Sequence, residues 1–338
     1  MSPAAHQAPE GAHVLTGRGA APVRGLPSFT VTVRPAIRDC LASGTIGPVR
    51  ADQAIAAVRQ AAAIHGLDMA GAQVGRVGEN AIVLLPRAGV LARVVPGEEM
   101  LGHVRQELEV SRWLASVGVP VVRSAVDEAT VAAGCVVVFW EYLAGAESVD
   151  LVTLARCLRQ LHGMAVPVDP VLSTVAPFGR FEERLQTAAV LSPDDKDFLV
   201  EYRDELARQW QSAAFDLPTS VVHGDAHMEN LLRVPGGRLA FVDLESVAVG
   251  PPEWDLALTA LYLECGWFAP DQYNDFVDAY GFDVRASSAW PVLRGARMLR
   301  MITWLAQSAG EYPERAAQLG HRLASLRDGT APAGWTGY

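Results

Sequence analysis

At 338 residues the chain is long enough for two lobes with a core each, and its make-up, 50 % hydrophobic and 20 % charged, is that of an ordinary soluble protein. A formal charge of −10 argues against non-specific nucleic-acid binding, which depends on neutralising phosphates, and only weakly favours a cationic substrate. No uncharged apolar run reaches the length of a membrane span, and no basic segment followed by an apolar core and cleavage site opens the chain, so a cytoplasmic protein without a membrane partner is expected. Cys40, Cys135, Cys157 and Cys265 are scattered with no C-x-x-C pair, and read as reduced thiols rather than a disulfide frame or zinc site.

Residues 1 to about 30 mix Ala, Gly, Pro and polar types without periodicity and read as a flexible extension. Ala51 to His65 reads as a helix, with Ile55, Val58 and Ala62 on one face and Gly66 at its end. From Ala72 the pattern turns strand-like: Gln73 to Val77, Ala81 to Leu85 and Val90 to Val95 are short apolar runs separated by Gly-containing turns. The first turn, Gly75-Arg76-Val77-Gly78-Glu79-Asn80, has glycines that let backbone N–H groups approach an anion, and it reads equally as a plain hairpin. Arg93 interrupts the run Leu91-Ala92-Arg93-Val94-Val95. A cation inside a strand is costly unless it is paired, faces a ligand or lies on a solvated edge. Pro96-Gly97 opens a helix from about Glu98 to Val117, with Leu101, Val104, Leu108 and Leu114 inward and Gly118 and Pro120 past its end. Glu107 flanks that inward stripe, whereas Glu109 reads as exposed.

Gly134 to Trp140 forms a further strand, continued by the connector Glu141-Tyr142-Leu143-Ala144-Gly145. Phe139, Trp140 and Tyr142 read either as pocket wall or as core, with at least one in the core. Leu151, Leu154, Leu158 and Leu161 give a helix stripe that stops at His162-Gly163. Ser192-Pro193-Asp194-Asp195 starts a helix, with an N-cap serine, Pro in the first turn and acids complementing the dipole. A late helix, Pro291 to Ala309, turns Leu293, Ala296, Leu299, Ile302 and Leu305 inward. Its arginines, Arg294, Arg297 and Arg300, read as an exposed face with carboxylate partners, the other reading being a basic wall for an anionic substrate group. Glu264, Asp271 and Asp275, assigned to one helix, are candidates for meeting a cationic substrate.

The chemistry concentrates in Val221-Val222-His223-Gly224-Asp225-Ala226-His227-Met228-Glu229-Asn230 and in Leu239-Ala240-Phe241-Val242-Asp243-Leu244-Glu245. Each begins as a short apolar run, consistent with a buried strand, and ends in acidic or amide side chains held rigidly at the strand's exit. Asp225 precedes Asn230 by five residues, and Asp243 follows thirteen residues after Asn230. Phosphoryl transfer needs such a set: one carboxylate accepts the proton of an attacking hydroxyl, while an amide oxygen and a second carboxylate hold Mg²⁺ against the phosphates. Protein kinases use H-R-D-x-x-x-x-N followed by D-F-G; here the same frame reads His223-Gly224-Asp225, four residues, Asn230, then Asp243-Leu244-Glu245. His223 reads as bracing its own loop and Glu229 as solvated. A zinc hydrolase built on His223, Asp225 and His227 is a rival, but no further His-rich cluster supplies a ligand from elsewhere.

Gly in place of Arg, and D-L-E in place of D-F-G, resemble the aminoglycoside phosphotransferase family of small-molecule kinases, choline kinase types included. The resemblance spans roughly residues 70 to 310. It implies a bilobal, protein-kinase-like α+β fold. An N-lobe of antiparallel strands with one helix (residues 31–143) would bind nucleotide, and a mainly helical C-lobe (residues 144–338) would hold the catalytic loop, metal site and acceptor pocket. It implies transfer of the γ-phosphoryl of ATP or GTP to a small-molecule hydroxyl, with Asp225 as base and Asn230 and Asp243 on Mg²⁺. Glu245 would reach the metal directly or through water, or stay solvated. Arg93, braced by Glu107, falls where kinases place the strand lysine on the phosphates; Gly78 and Asn80 belong to a G-E-N segment common in the family. Backbone groups of Glu141 and Leu143 would meet the base at the hinge. The family commonly carries an L-H pair, here Leu161-His162, and a G-x-P-x-x-D-L turn, here Gly250 to Leu256, in which Asp255 ties down loop backbone.

The expected acceptor is an antibiotic or related natural product, since a composition rich in Ala, Gly, Val and Arg and poor in Lys suits a high-GC antibiotic producer protecting itself. The alternatives are a kinase of a primary metabolite such as an amino alcohol or sugar, and a nucleotide-binding relative without catalysis. A protein kinase is disfavoured, because only a few residues separate Asp243 from Gly250-Pro251 and leave no activation segment. Nucleotide preference and the choice between monomer and homodimer are not legible.

Overall fold

The computed structural model describes residues 49–337 apart from Glu79 and Glu311, so the expected N-terminal extension and Cys40 lie outside the described residues. Helix α1 (Ala51–Ile64) precedes strands β1 (Gln73–Val77), β2 (Ala81–Leu85) and β3 (Val90–Pro96), helix α2 (Leu101–Ser116), and strands β4 (Thr130–Ala132) and β5 (Cys135–Glu141). The five strands form one antiparallel sheet in the order β1-β2-β3-β5-β4.

Strand alternation divides this sheet into two faces. Val90, Ala92 and Val94 of β3 and Cys135, Val137 and Phe139 of β5 share a buried cluster with α1. Leu91, Arg93 and Val95 therefore point the other way, where Val136, Val138 and Trp140 join a cluster with α2. The face α1 buries is Ala54, Ala57, Val58, Ala61 and Ala62; Ile55, expected inward, sits on its flank because a row of alanines lets the helix approach the sheet closely. Past α2, Gly118 adopts φ +84°, and the N–H groups of Gly118 and Val119 close on the carbonyls of Ala115 and Leu114 at 3.2 and 3.0 Å. Glycine takes this left-handed turn at no steric cost, so the helix stops there.

The C-terminal part is mostly helical. It contains β6 (Glu147–Ser148), α3 (Leu151–His162), α4 (Phe181–Thr187), α5 (Pro193–Ser212), β7 (Ser220–Val222), β8 (Leu231–Arg233), β9 (Leu239–Phe241), β10 (Ala248–Gly250), α6 (Glu253–Glu264), α7 (Pro270–Tyr280), α8 (Trp290–Ser308) and α9 (Pro313–Arg327). Asp150 caps α3 by accepting from the Thr153 N–H at 2.7 Å, and Ser192 with Asp195 forms a reciprocal capping box on α5. Gly266 at φ +78° and Pro270 in the first turn of α7 separate α6 from α7, so Glu264 does not share a helix with Asp271 and Asp275.

The cores do not divide as one per lobe. A single cluster runs from the α2 side of the sheet through Leu108 and Leu114 into Leu154, Leu158, Leu256, Leu293 and Leu299. Leu108, Leu154 and Leu293 are at most 1 % exposed, and truncating any of them to Ala costs about 2–5 kcal/mol. Cys135, Cys157 and Cys265 are free and buried within these clusters. Among the described residues no helix is long and apolar enough to cross a membrane.

Candidate active site

Strand β7 pairs with β10, and the chain then turns through residues 223–230 into the β8–β9 hairpin. Gly224 takes φ +86°, and the Ser246 carbonyl occupies the place a Cβ would need, so only glycine fits beneath the loop. The N–H groups of His223 and Gly224 donate to the Asp255 carboxylate at 2.7 and 2.8 Å, and His162 Nε2 bonds the same carboxylate at 3.0 Å. Asp255 is wholly buried. Burial alone would raise its carboxyl, but the His162 hydrogen bond first, and the positive charge of Arg297 with it, hold it below the ordinary value.

The His223 ring is committed to the loop. Its Nε2 donates to the Val242 carbonyl at 3.0 Å, and its Nδ1 accepts from the Asp225 N–H at 3.4 Å, a tautomer assigned from that hydrogen-bond pattern. Burial lowers its pKa and keeps the ring neutral. With both nitrogens bonded to backbone, His223 is not offered to a zinc ion.

Arg297 on α8 is the residue sequence reasoning missed. It is 1 % exposed rather than solvated. Its Nε and Nη2 donate to the Trp254 carbonyl at 3.2 and 2.6 Å and its Nη1 to the Gly224 carbonyl at 3.2 Å, 3.8 Å from Asp225 Oδ1. The guanidinium also lies 3.8 Å over the Trp254 ring, whose Nε1 donates to the same Gly224 carbonyl at 3.0 Å. Thus α6 and α8 fix the backbone on either side of Asp225.

Asp225 itself is partly open, with His227 Nε2 at 3.8 Å. Asn230 is buried and donates its amide to the Asp225 carbonyl at 2.9 Å, which sets the direction its side-chain oxygen faces. Strand β9 then delivers Asp243 at φ +58°, a left-handed conformation uncommon outside glycine. Across from these, Arg93 and Glu107 are 8 % and 5 % exposed and in direct contact, while Glu109 is exposed. Arg93 Nη1 also lies 3.2 Å from Glu245 Oε2 and 4.0 Å from Asp243 Oδ1. Glu245 is thereby drawn to the arginine instead of standing free in solvent.

The pKa values follow this crowding. Burial disfavours charged Arg93, but the carboxylates of Glu107, Glu245 and Asp243 outweigh it and hold the guanidinium above its ordinary value. Burial pushes Glu107 up to about 7, with Glu245 adding and Arg93 opposing. Asp243 is also pushed up to about 7, by desolvation in the cleft and then by Glu245. Since 47 % of its side-chain surface is open, the repulsion from Glu245 is the better-founded cause. Asn230, Asp243 and Glu245 are hard oxygen donors, the type Mg²⁺ takes when substrate phosphates complete its shell. Among the described residues no three His, Cys, Asp or Glu side chains form a group that could hold a metal ion by themselves.

The remaining expected contacts divide. Gly75 and Arg76 belong to β1, and the turn itself places the Gly78 N–H on the Asn80 carbonyl at 3.1 Å. That N–H serves the hairpin turn. At the connector, Glu141 accepts from the Arg123 N–H at 2.9 Å and from both Nη groups of Arg238 at 3.1 and 2.9 Å. The Leu143 N–H has no partner among the described residues. Phe139 and Trp140 are core and Tyr142 is exposed. Glu264, expected to face a substrate, bonds Arg294 at 2.6 Å, and Asp271 and Asp275 lie on the exposed side of α7.

Residues 79–296 match the model of a phosphotransferase enzyme family. No curated protein sequence matches the chain. Among solved structures it is similar to an amicoumacin kinase in complex with AMP-PNP, Ca²⁺ and Ami, at 13 % identity and TM-score 0.62 over 82 % of this chain and 94 % of that one. It is also similar to a microcompartment-associated aminopropanol kinase, at 20 % identity and TM-score 0.59 over 80 % and 94 % of the two chains. An aminoglycoside phosphotransferase from Streptomyces rimosus gives 17 % identity and TM-score 0.52 over 71 % and 95 %. The antiparallel sheet followed by a helical part is thus the kinase-like fold implied by the motifs.

Proposed function

The chain belongs to this phosphotransferase enzyme family, and on that premise we propose that it moves the γ-phosphoryl of ATP or GTP to a hydroxyl of a small molecule, with an antibiotic or related natural product as acceptor. The observation that carries the reading is the chain of contacts from Asp225, whose carbonyl accepts from the Asn230 amide, through the Asn230 carbonyl, which accepts from the Val242 N–H beside Asp243, to Arg93, which lies 4.0 Å from Asp243 and contacts Glu107. We assign nucleotide binding to residues 31–143 and the acceptor pocket to the helical remainder, 144–338.

In the proposed reaction the acceptor oxygen attacks the γ-phosphorus and the bond from phosphorus to the β–γ bridging oxygen breaks. The nucleoside diphosphate leaves, and the hydroxyl proton passes to Asp225. Arg93 steadies the phosphates as a planar fork, and Glu107 holds it in place. Mg²⁺, when bound, neutralises charge on the phosphates, and Asn230 and Asp243 would hold it with Glu245 beside them. Arg297 and Asp255 orient the peptides flanking Asp225 and so aim its carboxylate.

Two substitutions test this division of labour. Asp225→Ala should lower turnover about 10²–10⁴-fold, the worth of a positioned base, with AMP-PNP affinity little changed in calorimetry. Asp243→Ala should weaken Mg²⁺–AMP-PNP binding itself. Near-normal turnover by Asp225→Ala would show that the base is misassigned.

A further inference from the structure

Arg300 lies one step of three residues beyond Arg297 on α8, partly buried, with its guanidinium carbon 5.7 Å from the Trp254 ring. Among the described residues that guanidinium has no hydrogen-bond or ion-pair partner. Its neighbours differ: Arg297 donates to two carbonyls, Arg294 bonds Glu264 at 2.6 Å, and Arg180 bonds Glu183 at 3.0 Å. The charges acting on Arg300 are Arg297 and Arg180, of like sign, and the carboxylates Asp225 and Glu245. Burial, with Arg297 second, presses its pKa down to about 10. No Arg300 nitrogen is among the buried polar atoms left unpaired, so water reaches the fork, and an anion from outside the chain would displace that water and accept from its donors. Meanwhile the acids expected to meet a cationic substrate are paired or solvent-facing.

We propose that Arg300 anchors an anionic group, carboxylate or phosphate, carried by the acceptor, so that the acceptor is a hydroxylated acid rather than a cation. The inference rests on the phosphotransferase reading and narrows its substrate class. The γ-phosphoryl of the nucleotide is the other anion available beside Asp225, and the test separates the two.

The full chain is first saturated with Mg²⁺–AMP-PNP, which fills the nucleotide site with a triphosphate, and inorganic phosphate is then titrated by calorimetry. Wild type should bind it saturably, and Arg300→Gln about tenfold or more weakly, the worth of a lost charge-assisted pair. Arg300→Lys should restore this only in part, since it keeps the charge and loses the fork. Thermal unfolding of both variants reports that they are folded. Equal phosphate affinity in wild type and Arg300→Gln, or none in wild type, overturns the proposal. If AMP-PNP affinity falls tenfold while phosphate binding is unchanged, Arg300 serves the nucleotide and the proposal is also overturned. Failure of wild type to bind Mg²⁺–AMP-PNP would sink the phosphotransferase reading first, and this inference with it.

A second arm uses matched hydroxy acids and their amides as acceptors. The acid should be favoured through KM, and the preference should collapse in Arg300→Gln. Acid and amide turned over with the same KM by wild type, or an acid preference that survives in Arg300→Gln, contradicts it.

Discussion

Replacing Asp255 by Asn changes almost no volume, yet it should dislodge the loop that carries Asp225. One carboxylate oxygen accepts from the Gly224 N–H at 2.8 Å, and the other from the His223 N–H at 2.7 Å and from His162 at 3.0 Å. Whichever way the new amide turns, its NH₂ must face one of the two backbone donors. A hydrogen bond to a charged acceptor is lost, worth about 1.5–3 kcal/mol, and a buried N–H is left facing a donor at about 1–3 kcal/mol. Because the two costs overlap, the expected loss in urea unfolding at pH 7 is about 2–5 kcal/mol. Turnover should fall as well, since a shift of about 1 Å in a reacting group can cost roughly 10²-fold. AMP-PNP affinity should hold, because Arg93 and Glu107 do not touch Asp255. A variant within about 0.5 kcal/mol of wild type and fully active would refute the idea that Asp255 fixes this loop.

Glu107→Gln leaves Arg93 without its closest carboxylate, and should raise the KM for nucleotide about tenfold with a smaller change in kcat, read from initial rates over a nucleotide series. An unchanged KM would mean Arg93 is not held by Glu107. The buried, neutral His223 gives a pH dependence with a defined sign. Below about 6.5 the unfolded chain takes up a proton that folded His223 refuses, so its contribution is complete above that value and declines as pH falls, by at most about 1.4 kcal/mol per pH unit. Urea midpoints from pH 7.5 to 5 should show this slope, and His223→Gln should flatten it; equal slopes would count against the assignment.

The parts of this fold that were legible in sequence are those with strong local patterning. The runs Gln73–Val77 and Ala81–Leu85 match β1 and β2 because Gly78 and Asn80 punctuate the turn between them and Pro86 follows the second, and Ser192 with Asp195 marks the start of α5. The H-G-D and D-L-E segments stood out because strand and polar end are written side by side. Strands β6, β8 and β10 are two or three residues long and carry no period, so only pairing defines them. Arg297 is read as solvated because an arginine at the edge of an apolar stripe ordinarily reaches water, and the sequence does not show that the Trp254 and Gly224 carbonyls wait to receive it. One clue existed: Arg297 stands four residues after Leu293, on the same face. At Gly78 the sequence shows that a glycine can expose its N–H, but not that the Asn80 carbonyl takes it.

The most direct test is mass spectrometry of a hydroxyl-acceptor panel incubated with the protein, Mg²⁺ and either ATP or GTP. The panel should span aminoglycosides, nucleoside antibiotics, macrolides, amino alcohols, sugars and hydroxy acids. The account predicts a product heavier by one phosphoryl group in wild type and absent with Asp225→Ala. The same product formed at the same rate by Asp225→Ala, or a wild-type protein that binds no Mg²⁺–nucleotide, would contradict it.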